Sequence, residues 1–251
     1  NTLGSTDFEG SIDMSSSIFD IYNCPEEEVS PVWVDVEEEV DVDFSCSVGD
    51  LCSITDDVYV SPDGDDNNLG TSESEAFLTI GRALEMIAPE DDDPVTINLT
   101  DSTFAPSTTG ETFPIIMISN VNLFGQGEEV TIIDAEETSR VITMDNCNNN
   151  TISDLTLTGG LAEDNEFGGG MVLLYSNPTL THVTISNNTA SSGGGMYLTN
   201  SDPTLTNSII WNNSPESIYL YSDEEPIITY SDIEGGWEGE GNIDDNPQFT
   251  D

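Results

Sequence analysis

Residues 168–188 read GGGMVLLYSNPTLTHVTISNN, and residues 193–213 read GGGMYLTNSDPTLTNSIIWNN. The two stretches align without a gap at an offset of 25 residues. Pro178 falls on Pro203, Leu180 on Leu205, Ile185 on Ile210 and Asn187 on Asn212. A further shift of 23 brings Pro226, Ile228 and Ile233 into the same columns, and a backward shift of 28 brings in Ile152, Leu155 and Leu157. Self-similarity at this period, built from short β segments, marks a solenoid, in which each coil buries a thin stripe and its neighbours complete the core. The columns Ile152/Leu180/Leu205/Ile228 and Leu157/Ile185/Ile210/Ile233 are expected to face inward and stack about 4.8 Å apart. The repeat fades toward residue 95, where VTINL and FPIIMISNVNLFG read as earlier coils with longer turns. About six coils are expected in all. Leucine-rich repeats have a similar period but want L-x-x-L-x-L and convex helices. The β-branched, Gly- and Asn-rich pattern favours a three-sheet β-helix.

Upstream, Val58–Val60 reads as a short strand entering a loop of Pro, Gly, Asp and Asn. Thr79 to Ile87 then reads as a helix, with Ile80, Leu84 and Ile87 at helical spacing and Pro89 ending it. Residues 1–56 differ in character. A polar leader precedes PVWVDVEEEVDVDFSCS, in which Val32, Val34, Val36, Val40, Val42 and Phe44 alternate with polar residues, the pattern of half-buried strands.

The strand YVSPDG, the D-x-N-x-G-T loop at 66–71 and FLTIGRAL at 77–84 together resemble the opening of many secreted β-helix proteins. They are similar to the family catalogued as domain of unknown function number 1565, within the pectin-lyase-like superfamily. Tyr59, Ser61, Gly64, Gly70, Thr71, Phe77, Thr79, Ile80 and Leu84 carry the likeness. The segment G-x-G-N-I-D-D-N-P-Q-F, from Gly239 to Phe249, is similar to the way many such solenoids end. The resemblance implies a right-handed parallel β-helix whose N-terminal end is capped by the helix. It implies no activity, because that family has none assigned. The expected fold is therefore all-β: an N-terminal extension with alternating strands over 1–56, and a β-helix over 57–251 made of a cap (57–94), coils (95–236) and a tail (237–251).

Fifty Asp and Glu oppose two basic residues, Arg82 and Arg140, for a formal net charge of −48. Such a surface repels nucleic acid and anionic membranes, both of which need Lys and Arg as counter-charges. It favours solubility and divalent cations. No apolar run reaches the roughly 20 residues that span a bilayer. The chain starts at Asn1 without a basic and apolar leader, which reads as a mature secreted or cell-surface protein whose signal is gone. Four cysteines without a C-x-x-C pair suggest disulfides rather than zinc. Cys46 with Cys52 is the first pairing expected, leaving Cys24 with Cys147, and buried free thiols are the alternative.

Candidate chemistry is sparse. β-Elimination needs an Arg or Lys base near calcium and an anionic sugar; the chain has no Lys, and its two Arg stand apart. Paired carboxylates for hydrolysis carry no signal where acids are so abundant. Asp154, His182 and Asn207 occupy one column on three coils; they read as an acid–base chain around the single histidine or as a polar turn position. Asp63, Asp65, Asp66 and Asn67 offer oxygen ligands for calcium in a Gly-containing loop, or form a plain Asx-rich turn. Asp244, Asp245 and Asn246 are a second such run. No cofactor is required. Sequons stand at Asn98, Asn149, Asn187 and Asn212, where glycans and stacked asparagine ladders are alternative readings. In each Asn-Asn pair, one residue is expected to ladder inward and the other to point out. Trp211, in an outward column with Ser186 and Thr158, is a contact candidate or is shielded by a neighbouring loop.

A solenoid has two open ends that must be capped or paired. The helix covers the first, and the alternating strands of the extension are free to add to a neighbour's edge. Head-to-tail contacts of this kind build filaments. The expectation is a non-enzymatic, pilus-like homopolymer. The alternatives are a monomeric adhesin or carbohydrate-binding module, and a polysaccharide lyase or hydrolase.

Overall fold

A computed structural model describes residues 54–249. They form an all-β right-handed parallel β-helix in which every strand-to-strand pairing is parallel. Each coil crosses three faces. The first face carries Val58–Val60, Val95–Leu99, Val121–Phe124, residues 151–153 and 179–181, Thr204–Thr206 and Ile227–Thr229. The second takes up Thr103–Phe104, Ile132–Asp134, residues 155–158 and 183–186, Ile209–Trp211 and Asp232–Ile233. The third carries five strands: Ile115–Ile116, Ile142–Asp145, Met171–Leu174, Met196–Thr199 and Ile218–Leu220. Coils 95–120, 121–150, 151–178, 179–203 and 204–226 are complete, and the next stops after its second face. That makes five turns rather than six, because the chain after Ile233 folds back instead of winding on.

The register is the one the repeat dictates. Leu180 lies between Ile152 and Leu205, and Ile185 between Leu157 and Ile210. All six of these side chains are buried. On the third face, Met171 stacks on Ile142 and Met196, and Leu173 on Met144 and Leu198. Each such aliphatic side chain contributes about 1.5–3 kcal/mol through burial.

Three corners turn the coils, and each is built from a doublet. A residue in the left-handed region is followed by an inward-facing one, small and polar at most of these places, with Leu155 after Asp154 and Val183 after His182 as apolar exceptions. Asn146, Tyr175 and Asn200 have φ of 54°, 49° and 48°. The next residues are Cys147, Ser176 and Ser201, all buried. The Ser176 hydroxyl accepts the Cys147 N–H at 2.9 Å, and the Ser201 hydroxyl accepts the Ser176 N–H at 3.0 Å. At a second corner, Ser208 and Ser231 serve Val183 and Ser208 in the same way. At the third, Asn187 and Asn212 are left-handed and exposed, while Asn188 and Asn213 are buried and hydrogen-bonded to each other. The glycine triplets lie just beyond. Gly168 and Gly193 have φ of +66° and +63°, and a Cβ on Gly170 would stand 2.5 Å from the Gly195 carbonyl oxygen. Only glycine fits these places.

The cap helix spans Ile80–Met86, and the Thr79 hydroxyl accepts the Arg82 N–H as its N-cap. Ile80, Ala83, Met86 and Ile87 are buried, while Leu84, expected on the apolar stripe, is only half-buried. The small Ala83 lets the helix lie close on the first coil. The strands expected around Val32–Val36 and Val40–Phe44 lie outside the described residues, as do Cys24, Cys46 and Cys52.

Cys147 is a free, buried thiol. It occupies the serine position of its corner and points its sulfur at the Met117 carbonyl at 3.2 Å. Cys24, the partner expected for it from sequence, lies outside the described residues.

Candidate functional site

The calcium-candidate loop is occupied by its own hydrogen bonds. The Asp66 carboxylate accepts the N–H groups of Leu78 and Thr79, both at 2.9 Å, and the Thr79 hydroxyl at 3.0 Å. It secures the entry to the cap helix. Asp65 accepts the backbone and side-chain N–H of Asn67 at 2.9 and 2.6 Å, which holds its carboxyl below the ordinary range. Among the described residues, no group of three or more acidic, His or Cys side chains is placed to hold a metal. Within this Asx-rich turn the Asp65 and Asp66 carboxylates face N–H groups of the loop and of the helix entry. Asp244 and Asp245 do not converge into such a group either; Asp244 accepts the Gly235 N–H, and the Asp245 N–H bonds Asp232. Asp232 is buried, and desolvation, with the nearby Asp245 and Asp244 charges, raises its pKa.

Asp154, His182 and Asn207 do meet. His182 Nδ1 lies 3.3 Å from Asp154 Oδ1, and His182 Nε2 lies 3.2 Å from Asn207 Nδ2. All three are left-handed corner residues, and His182 is 48% exposed. The chain runs along a solvated edge of the solenoid. Arg140 pairs with Glu166 at 2.6 Å and Arg82 with Glu85 at 3.1 Å, so both arginines are engaged on the surface.

The sequon asparagines 149, 187 and 212 are exposed, and Asn98 is half-buried. Asn212 Nδ2 donates to Asn187 Oδ1 at 2.5 Å, and Asn149 Nδ2 to Asn120 Oδ1 at 3.0 Å. Both members of the two Asn-Asn pairs therefore ladder, Asn187 with Asn212 at the surface and Asn188 with Asn213 inside. Trp211 pairs in register with Ser186 and is half-buried.

Two arrangements escaped the sequence reading. On the third face, the ring of Tyr197 lies between Phe167 (4.6 Å, 15°) and Tyr219 (5.3 Å, 4°), with Tyr221 tilted against it at 6.3 Å. Tyr197 is 5% exposed, and Tyr221, at the rim, is 65% exposed. The second is at the C-terminal end. The tail closes two faces: the Tyr230 N–H bonds the Glu240 carbonyl at 2.8 Å, the Ile243 N–H bonds the Ser231 carbonyl at 2.9 Å, and Asn242 Nδ2 bonds the Ile228 carbonyl at 2.9 Å. On the third face, Ile218–Leu220 pairs only with Met196–Thr199, and no described strand pairs with its outer edge.

The family described as "Protein of unknown function (DUF1565)" matches residues 62–235. The chain belongs to the DUF1565 family. No curated protein matches it. Among solved structures, this DUF1565 chain is similar to pectate lyase Pel9A, at 15% identity and a TM-score of 0.46, over 80% of this chain and 58% of that one. It is also similar to pectin methylesterase PemA from Erwinia chrysanthemi, at 14% identity and a TM-score of 0.36, over 72% of this chain and 71% of that one.

One signal for the aromatic stack was available. Tyr197 and Tyr219 occupy the middle, outward position of M-x-L and I-x-L strands in the DUF1565 coils. Phe167 reaches the stack from the strand Leu161–Phe167, which pairs with Thr189–Ser192 and lies outside the repeat.

Proposed function

We propose that this DUF1565 solenoid is an extracellular structural protein that assembles head to tail, each copy adding a strand to the next. The observation that carries the reading is the Ile218–Leu220 edge. The tail bonds the last strands of the first two faces, and the third face ends in a strand with no described partner on its outer side. An uncovered edge of this kind is a template for β-addition. Its inward residues, Ile218 and Leu220, continue two apolar columns that an arriving apolar-x-apolar segment extends. Residues 31–44 supply that pattern twice over. The pairing of both arginines with surface glutamates supports a non-enzymatic role. The net charge of −48 supports partners other than nucleic acid or anionic membrane.

Native mass spectrometry and negative-stain electron microscopy of the full chain test this. Linear oligomers are expected, lost on deletion of residues 1–53 and weakened by Tyr219→Lys at the edge. A monomeric full chain, or oligomers indifferent to the deletion, overturns the proposal.

The Phe167–Tyr197–Tyr219 stack with Tyr221 favours a second reading, a monomeric carbohydrate-binding surface module, since aromatic rings present apolar faces to sugar C–H groups. A glycan array that binds the full chain, and fails to bind Tyr221→Ala, supports that reading.

A further inference from the structure

The outward side of the first face is a grid of hydroxyls. Thr151 and Ser153 stack on Thr179 and Thr181, which stack on Thr204 and Thr206. Thr229 extends one column by a further coil, its hydroxyl 3.3 Å from that of Thr206. The two positions in each strand are two residues apart, so the grid repeats at about 6.6 Å along the strands and about 4.8 Å along the axis. Thr179 is exposed, Thr151, Thr181, Thr204 and Thr206 are half-exposed, and Ser153 is buried. Toward the N-terminal end, Asn122 and Phe124 interrupt the hydroxyls, and Ile227 closes the other end.

No outward position on this face, from Thr96 to Thr229, carries a charge, in a chain with fifty acidic residues. Repulsion between stacked like charges explains part of that, because directly opposed carboxylates destabilise a sheet. Strand propensity and cross-strand Thr–Thr pairing also favour threonine, but they act equally on every face. On the third face the matching positions hold Val172, Leu174, Tyr197 and Thr199, a mixture under the same constraint. Threonine on a strand has a restricted χ1, so each hydroxyl and methyl is held in a repeated orientation.

We infer that this face binds the surface of ice. An uncharged grid of hydroxyls and methyls in register from coil to coil is complementary to a lattice of water molecules, which is itself uncharged and periodic. The hydroxyls take lattice positions, and the methyls fill the spaces between them. A mineral surface, by contrast, is met by carboxylates, and this protein keeps its carboxylates at the corners flanking the face, as at Asp154, Asp202 and Glu225. The inference is independent of assembly through the third-face edge.

The test is partition of the full chain between a slowly growing ice front and the remaining liquid, with a thermal-hysteresis measurement on single ice crystals. Enrichment in the ice and a measurable hysteresis gap are expected. Thr181→Tyr and Thr204→Tyr, each disrupting the grid, are expected to abolish both. Thr143→Tyr, outward on the third face, is expected to retain both. Circular dichroism establishes which variants are folded. Exclusion of the wild-type chain from ice overturns the inference, and so does a folded Thr181→Tyr or Thr204→Tyr that still partitions like wild type.

Discussion

Asn188 Nδ2 donates to Asn213 Oδ1 at 3.0 Å, across one coil of the solenoid, with both side chains buried. The same Asn213 oxygen accepts the Asn188 backbone N–H at 3.1 Å, and Asn213 Nδ2 returns a bond to the Ile185 carbonyl at 2.8 Å. With the 3.1 Å bond from Asn188 Nδ2 to the Leu157 carbonyl, the pair satisfies backbone groups on two coils at this corner.

Asn213→Ala strips these partners at once and leaves buried donors unpaired, at about 1–3 kcal/mol for each orphaned group. The neighbouring Asn212 is exposed and left-handed, so Asn212→Gly keeps the backbone comfortable and is expected to stay within about 0.5 kcal/mol of wild type. Urea denaturation of the two variants measures the contrast. Equal midpoints for both would remove the internal ladder as a source of stability.

In the aliphatic columns, Leu180→Ala opens a cavity between Ile152 and Leu205 and is expected to cost about 2–5 kcal/mol. Leu69→Ala, at a residue 47% exposed in the N-terminal loop, is expected to change little. Thermal unfolding followed by circular dichroism separates them.

Two buried glutamates shift stability in opposite directions with pH. Burial raises the Glu111 pKa above 4.5, although the N–H groups of Ile80 and Gly81 bond its carboxylate at 2.6 and 3.0 Å. Its folded form binds a proton more readily than the unfolded chain, so its contribution is full below about pH 4.5 and falls as pH rises through the folded value. Wild type should therefore gain stability over Glu111→Gln on acidification from neutrality. Glu224 is the reverse. Burial opposes its charge, but the Ser222 N–H and hydroxyl and the Asn200 N–H outweigh burial and hold its pKa below 4.5. Its contribution is present above about pH 4.5 and is lost as pH falls through the folded value. Wild type should lose its advantage over Glu224→Gln in acid. Denaturation midpoints at neutral and acidic pH give both signs, and shifts in the same direction would contradict the assignment.

Cys147 stands where its column otherwise holds Ser176 and Ser201, and its thiol pKa is raised by desolvation. It is expected to resist alkylation in the native protein and react on unfolding. Peptide mapping by mass spectrometry reads the Cys147 peptide directly. Cys147→Ser is expected to remain folded, its hydroxyl reaching the Met117 carbonyl now met by sulfur at 3.2 Å.

The columns were legible because every coil from 151 to 233 repeats them nearly in phase, and position-for-position alignment converts directly to register. The corner rule was half legible. The Asn-Asn doublets stood out as sequons, but Tyr175-Ser176 and Tyr230-Ser231 did not, because tyrosine is an unexpected left-handed residue. Leu84 was misplaced because Ala83, too small to register as apolar, is the residue that faces the core. Glu111 was invisible: its partners are 30 and 31 residues away, in a coil whose long turn breaks the repeat. The Asp66 bonds to the helix entry were not legible, because sequence shows a loop's oxygens but not the N–H groups they face. Aromatic stacking at Tyr197 depends on Phe167, which arrives from outside the period.

In-register stacking also sets how this molecule can change length. The stacked partners of a coil residue lie one period before or after it, so excising residues 179–203 joins Pro178 to Thr204 and sets Thr204 over Thr151, with all three corners still aligned. Removing five residues from the same stretch would leave each side chain beside the wrong partner. The solenoid is thus tolerant of subtraction by whole windings and intolerant of anything smaller, which makes the winding, rather than the residue, its unit of dimension.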